Sequence, residues 1–280
     1  MEIFETIEVL RSWSRFAHAD GRSIGLVPTM GALHEGHLSL VRAAKDKCHA
    51  VAVSIFVNPT QFGPGEDFAL YPRTFEADCA LLEAEGVDVA FAPAPEEMYR
   101  PGASTFVEVE DLSGRLDGGS RPGHFRGVAT VVSKLLIAAE PDQAFFGQKD
   151  AAQIAVIRRM VADLGLPAEV VVCPIVREPD GLAMSSRNRY LSIDERQQAL
   201  VLNRALRAVE AAISTGQRDT AQLIALATAK FAHEPGVKVD YIAAVDWATL
   251  LPIETAEPGT LFAVAAYVGK TRLIDNIILR

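Results

Sequence analysis

Apolar positions recur at two spacings along this chain. Ile7, Leu10, Trp13 and Phe16 follow a helical interval, which predicts a helix over 6–19. A strand is expected at about 23–28, then a helix opening near His37 and running to about Cys48. Val51 to Val57 is a continuous apolar run of strand length, the pattern of a central parallel strand covered on both faces. The alternation continues with a helix over about 74–85 closed by Gly86, and a strand over 87–92. Residues 104–110 alternate like a further strand, and 117–123 read as a mobile loop. A helix over 128–139, a strand over 142–146, a helix over 151–164 and a strand over 169–173 complete the series.

Strands and helices in alternation up to about residue 174 predict an α/β fold with a doubly wound, mostly parallel sheet. After about residue 190 the character changes. Two Ala- and Leu-rich helices (192–214 and 219–233) precede strands near 237–246, 260–268 and 271–279, a smaller α+β unit. The expected division is therefore 1–174 and 175–280. Ligands of doubly wound sheets sit beyond the carboxyl ends of the strands. The loops after residues 28, 57, 146 and 173 are thus expected to meet at one cleft.

Composition narrows the class. Of the 280 residues, 49% are apolar and 22% charged, which suits a globular protein with a real core. The net charge of −9 argues against a general binder of nucleic acid or membrane surfaces. Cys48, Cys79 and Cys173 are odd in number, far apart and form no CxxC, which favours a reduced, cytoplasmic setting. The acidic start lacks a signal-peptide pattern, and no apolar run approaches the roughly 18 residues of a membrane span.

The chemistry concentrates in three stretches. Residues 25–37, from Gly25 to His37, read as a buried strand, a glycine-bearing turn and a helix start. A helix N-terminus presents unpaired N–H groups and suits a phosphate. His34 and His37 flank Gly36 at that end. Zinc is a weaker reading of the pair, because no Cys or third His stands nearby at ligand spacing. Gly147-Gln148-Lys149-Asp150 places an ammonium at a strand-to-helix turn. Residues 177–190 combine a turn with Ser185, Ser186, Arg187 and Arg189, natural partners for phosphate oxygens. Gln61 and Gln153 offer neutral donors and acceptors for a hydroxy acid. Asp67, Asp78 and Asp150 are candidates to hold Mg²⁺ with nucleotide phosphates, and Arg73 reads equally as site lining or surface.

Taken together these residues resemble the pantothenate synthetase family, also called pantoate–β-alanine ligase. The resemblance rests on Pro28–His37, on Phe56–Phe62 with Glu66-Asp67 and Tyr71-Pro72-Arg73, on Phe146–Asp150 with Gln153, on Arg177–Leu191, and on Thr271–Asn276. It covers nearly the whole chain. It implies a Rossmann-like fold of the nucleotidyltransferase superfamily with a C-terminal lid, and a homodimer. It also implies an ATP-dependent ligation with Mg²⁺ as cofactor. Pantoate is first adenylated with loss of pyrophosphate, and β-alanine then displaces AMP. Carried over by position, ATP is expected against Met30, Gly31, Ala32, Leu33, His34, Glu35, Gly36 and His37. Gly147, Gln148, Lys149 and Asp150, Val176, and Met184, Ser185, Ser186 and Arg187 are expected to contact it as well. His37 is implied as proton donor, with His34, Lys149 and Arg187 offsetting charge. Gln61 and Gln153 are implied for pantoate, and Gln61 also for β-alanine. Ala152 stands where many members carry glutamine. Two other readings remain: an adenylyltransferase that releases its adenylylated product, and a nucleotide sensor without turnover.

Overall fold

The structure, a computed structural model, describes residues 1–279. The first part contains strands β1 (Glu2–Phe4), β2 (Ile24–Thr29), β3 (Ala50–Ile55), β4 (Val89–Phe91), β5 (Gln143–Gly147) and β6 (Glu169–Cys173). They form one six-stranded sheet in the order β1-β4-β3-β2-β5-β6. Every pairing in it is parallel. Strand order reverses between β2 and β5, so the crevice lies beyond the carboxyl ends of these two.

Helices α1 (Ile7–Ala19), α2 (Glu35–Lys47), α3 (Phe75–Ala84), α4 (Pro95–Met98), α5 (Asp117–Ser120), α6 (His124–Ala139) and α7 (Ala151–Asp163) complete this part. Alternate strand residues point to opposite faces. Leu26, Ala52, Phe91 and Phe146 meet Leu10 of α1, Val128 and Val132 of α6 and Ile154 and Ile157 of α7. Val27, Val53, Ala90 and Phe145 meet Leu40 and Val41 of α2 and Leu82 of α3 on the other side. Helix α6 is almost wholly buried, which explains why its sequence is apolar nearly all round.

The remainder holds α8 (Ile193–Ala199), α9 (Val201–Ser214) and α10 (Thr220–Phe231), then β7 (Val237–Asp246), β8 (Thr260–Val268) and β9 (Thr271–Ile278). The last three form an antiparallel sheet in that order. One group of its side chains packs on α9 and α10. Val245, Leu250, Leu261 and Ala263 join the core of the first sheet instead.

The differences from the sequence expectations are local. Helix α2 opens at Glu35, two residues before His37, with His34 as its N-cap. Residues 104–110 form no strand, because Val107 N–H donates to the Thr130 hydroxyl at 2.9 Å rather than to a neighbouring strand. Residues 117–120 are the short helix α5 with Asp117 buried, not a mobile loop. The expected helix over 192–214 is broken at Leu200 into α8 and α9. β1, three residues long, carries too little pattern to be read from sequence.

Candidate active site

The β2–α2 turn is built around a buried carboxylate. Asp78 accepts hydrogen bonds from Ala32 N–H at 2.9 Å and Leu33 N–H at 2.8 Å. These bonds hold Ala32 at φ +50°, a conformation few non-glycine residues adopt. Asp78 is thereby a buried anchor for the turn and does not line the cleft where Mg²⁺ is expected. Gly36 is required for a different reason. A Cβ there would stand 2.9 Å from His34 Cε1, so only glycine lets the imidazole fold back over the helix end.

The two rings lie 4.1 Å apart between centroids. His34 N–H donates to His37 Nδ1 at 3.3 Å. An imidazole that accepts at Nδ1 and is neutral carries its proton on Nε2. Both rings are neutral. Burial first, then the neighbouring His34 and Lys149, pushes His37 down to about 3. Burial and Lys149 lower His34 to about 4. A shift of this size on His37 makes its charged form roughly 5 kcal/mol dearer than in water, more than one hydrogen bond returns. His34 Nδ1 is buried and has no partner within the protein.

Lys149 enters from the β5–α7 turn and lines the same cleft as His34 and His37. Its ammonium is 3.5 Å from Asp150, which is 45% exposed. Gln153 lies on the first turn of α7 and also faces the cleft. The space, counting what opens to solvent, is about 1380 Å³.

Gln61 is buried after β3 and is held at both ends. Its Oε1 accepts from Asn58 Nδ2 at 3.1 Å, and its Nε2 points at Met30 Sδ at 3.0 Å. Its carbonyl accepts from His124 Nδ1 at 2.8 Å. His124 Nε2 in turn receives Arg121 Nη1–H at 3.0 Å, so this ring too is neutral, lowered to about 4 by burial and then by Arg121. Helix α6 approaches closely enough for this because residue 127 is glycine. A Cβ there would be 2.3 Å from the Thr60 carbonyl oxygen.

The opposite wall is held by ion pairs. Glu66 takes Arg121 through Nε at 2.7 Å and Nη2 at 2.6 Å. Asp67 takes Arg187 through Nε and Nη2, both at 2.9 Å. Consecutive carboxylates thus hold two guanidiniums by the same edge. Tyr71 and Ser186 hydroxyls meet at 3.3 Å beside them. Asp67, a candidate for Mg²⁺ in the sequence, is committed to Arg187.

The structure therefore brings Met30, His34, Gly36, His37, Gln61, Gly147, Lys149, Asp150, Gln153, Val176, Met184, Ser185, Ser186 and Arg187 to one cleft. Glu35 points away and pairs with Arg42, and Gln148 turns to Asn276. Gly31, Ala32 and Leu33 form the buried turn beneath. Arg73 donates to the Tyr71 and Phe68 carbonyls at 3.2 Å and stays outside the cleft. Asn58, Tyr71, Arg121 and His124 line the site and were missed. The Arg121-Pro122-Gly123-His124 sequence, two polar cleft residues flanking a helix start, was the available signal.

The family model described as pantoate-beta-alanine ligase matches residues 2–278. The pantothenate synthetase of Acidobacterium capsulatum is 68% identical over 258 residues, 92% of this chain and 86% of that protein. That of Koribacter versatilis is 57% identical over 280 residues, 100% and 96% of the two chains. Among solved structures, pantothenate synthetase from Thermus thermophilus superposes with a TM-score of 0.94 at 46% identity, covering 99% of both chains. The pantoate-beta-alanine ligase of Francisella tularensis, complexed with beta-gamma ATP and beta-alanine, superposes with a TM-score of 0.80 at 35% identity. It covers 99% of this chain and 97% of its own. On its sequence and its fold alike, the chain belongs to the pantoate–β-alanine ligase family.

Proposed function

We propose that this ligase joins pantoate to β-alanine in two steps within the one cleft. Pantoate carboxylate attacks the α-phosphorus of ATP, giving pantoyl adenylate and pyrophosphate. The amine of β-alanine then attacks the acyl carbon, the C–N bond forms, and AMP leaves with the former acyl–phosphate oxygen. The observation that carries this reading is the arrangement of neutral His34 and His37 at the α2 N-terminus, with Lys149, Gln61 and Gln153 lining the same cleft.

The first step brings two anions together, so donors must face the charge as it develops. His37, neutral with its proton on Nε2, gives a hydrogen bond to a phosphate oxygen and not the proton itself. His34 lines the same cleft; its Nδ1 is buried against the helix start, so its Nε2 is the ring atom left to meet a phosphate. Lys149 supplies the full positive charge. Gln61 and Gln153 hold the hydroxyls of pantoate. Being neutral, they leave its carboxylate free to act as a nucleophile. Arg187, preset by Asp67, faces the phosphates from the other wall.

Mg²⁺ carried on nucleotide phosphates needs only one or two protein carboxylates. Of the three sequence candidates, Asp150 alone keeps an exposed carboxylate at the cleft, and it is the residue we assign to the ion. The ion would offset phosphate charge there. We further propose a cytoplasmic homodimer with a nucleotide-binding unit over 1–174 and a smaller lid over 175–280. Arg272 to Asp275 of the second sheet line a smaller cavity together with Lys149, Asp150 and Arg187, which supports the lid reading. No helix among the described residues is long and apolar enough to cross a membrane.

The test is pyrophosphate release from ATP with D-pantoate present or absent and no β-alanine. Release that requires pantoate, halts near one equivalent per site and resumes with β-alanine is the expected result. Pantoate-independent release points to the adenylyltransferase, and nucleotide binding with no release under any combination points to the sensor.

A further inference from the structure

The Thr271–Asn276 stretch belongs to β9, and none of it lines the main cleft. Three of its side chains nevertheless reach three separate segments that do. Asn276, 3% exposed, donates from Nδ2 to the Gln148 carbonyl at 3.0 Å and the Lys149 carbonyl at 2.9 Å. Its Oδ1 accepts from Gln148 Nε2 at 3.1 Å. The amide is thus saturated by the turn that carries Lys149. Asp275, also 3% exposed, takes Arg177 in a bidentate pair at 2.7 and 2.9 Å. Arg177 begins the hairpin that pairs with Ala183 and delivers Met184 to Arg187. Arg272 joins Asp117 at 2.8 Å and Asp240 at 2.7 Å, fixing α5 just ahead of Arg121 and His124.

We propose that Asn276 is a positioning residue for the reaction. It sets the ammonium of Lys149 by holding the backbone on which that side chain stands, while Asp275 and Arg272 brace the hairpin and α5 from the same strand. Asparagine suits the task because only a primary amide offers two N–H donors and an acceptor in one plane. Aspartate is isosteric but cannot donate, and would set a carboxylate against two carbonyl oxygens. Backbone errors of about 1 Å at a charged group cost on the order of a hundredfold in rate. The proposal rests on the nucleotide reading of the cleft, so its test uses equilibrium binding as well as turnover.

The experiment is a double-mutant cycle of Asn276→Ala with Lys149→Ala, reading the Kd of a non-hydrolysable ATP analogue and pantoate-dependent pyrophosphate release. Asn276→Ala is expected to weaken the analogue roughly tenfold and slow release by about tenfold to a hundredfold, with KM for pantoate within about twofold. In the Lys149→Ala background the same change should cost almost nothing, an outcome that mere loosening of the fold does not produce. Equal losses in both backgrounds, or matched rises in KM for both substrates, overturn the proposal. Should Asn276→Ala fail to fold, Gln148→Ala decides. It removes the donor to Asn276 Oδ1, and an analogue Kd equal to wild type overturns the assignment. Wild-type protein that binds the analogue but releases no pyrophosphate refutes the proposed function, while the binding cycle still judges Asn276.

Discussion

The two walls of the cleft are held by different physics. On the β2–α2 side the donors are neutral imidazoles, desolvated and oriented by backbone hydrogen bonds. On the opposite side they are guanidiniums, partly exposed, each gripped by a carboxylate. A desolvated neutral donor needs no reorganisation when charge develops nearby, and salt hardly screens it. An ion pair with both partners about a fifth exposed is weaker and salt-sensitive. Its guanidinium keeps unused N–H groups for an incoming anion. Under the proposed function, the difference puts transition-state stabilisation on the first wall and substrate capture on the second.

The change with the largest expected effect tests the first wall. His37→Ala should slow adenylate formation by on the order of a hundredfold or more while ATP affinity shifts little, as for loss of an oxyanion donor. Single-turnover rates and nucleotide binding separate the two. A variant that loses ATP affinity and keeps its rate would move His37 to the capture wall and erase the distinction.

The second wall should respond in the opposite sense. Asp67→Asn keeps the shape but removes the charge that presets Arg187, and should raise KM for ATP about threefold to tenfold with kcat nearly constant. Added salt should raise wild-type KM for ATP and shrink the gap between wild type and variant. A gap that is flat with ionic strength would mean the pair is merely structural. Gln153→Ala should act on pantoate alone, raising its KM by about tenfold while leaving ATP binding intact. Selective loss of ATP binding would place Gln153 on the wrong substrate.

The uneven legibility of the two walls follows from the same contrast. The histidine turn is recognisable locally, from glycine, two imidazoles and a helix start within eight residues. The alternation of β2 to β6 with helices is also readable, since apolar runs and capping glycines repeat at short range. Asp78 looked like a metal candidate because its true partners, Ala32 and Leu33, lie more than forty residues away. Arg121 and His124 were hidden in a stretch whose glycines suggested a loop, while its burial came from Asp117 meeting Arg272 of β9. Residues 104–110 had strand alternation without a neighbouring strand to pair with. Each miss is a long-range contact overriding a local pattern.

The smallest expected effect concerns pH, and it sharpens the first wall further. His34, His37 and His124 are held neutral, at about 4, 3 and 4, against 6.5 in an unfolded chain. Above about pH 6.5 the rings are neutral in both states and contribute no pH dependence. Below it the unfolded chain binds protons that the folded protein refuses, so stability falls as pH drops toward the folded values. Between about pH 7 and 5.5 carboxylates are nearly silent, so urea unfolding in that window reports these rings. The loss should be about 1 kcal/mol for each ring, and His124→Gln should remove about a third of the total. Adenylation under saturating substrates should meanwhile show no titration near 6.5, because the donors are already in their working form. An acid limb near 6.5 that disappears in His37→Gln would show the ring charging during turnover, and the neutral-donor assignment for this wall would fall.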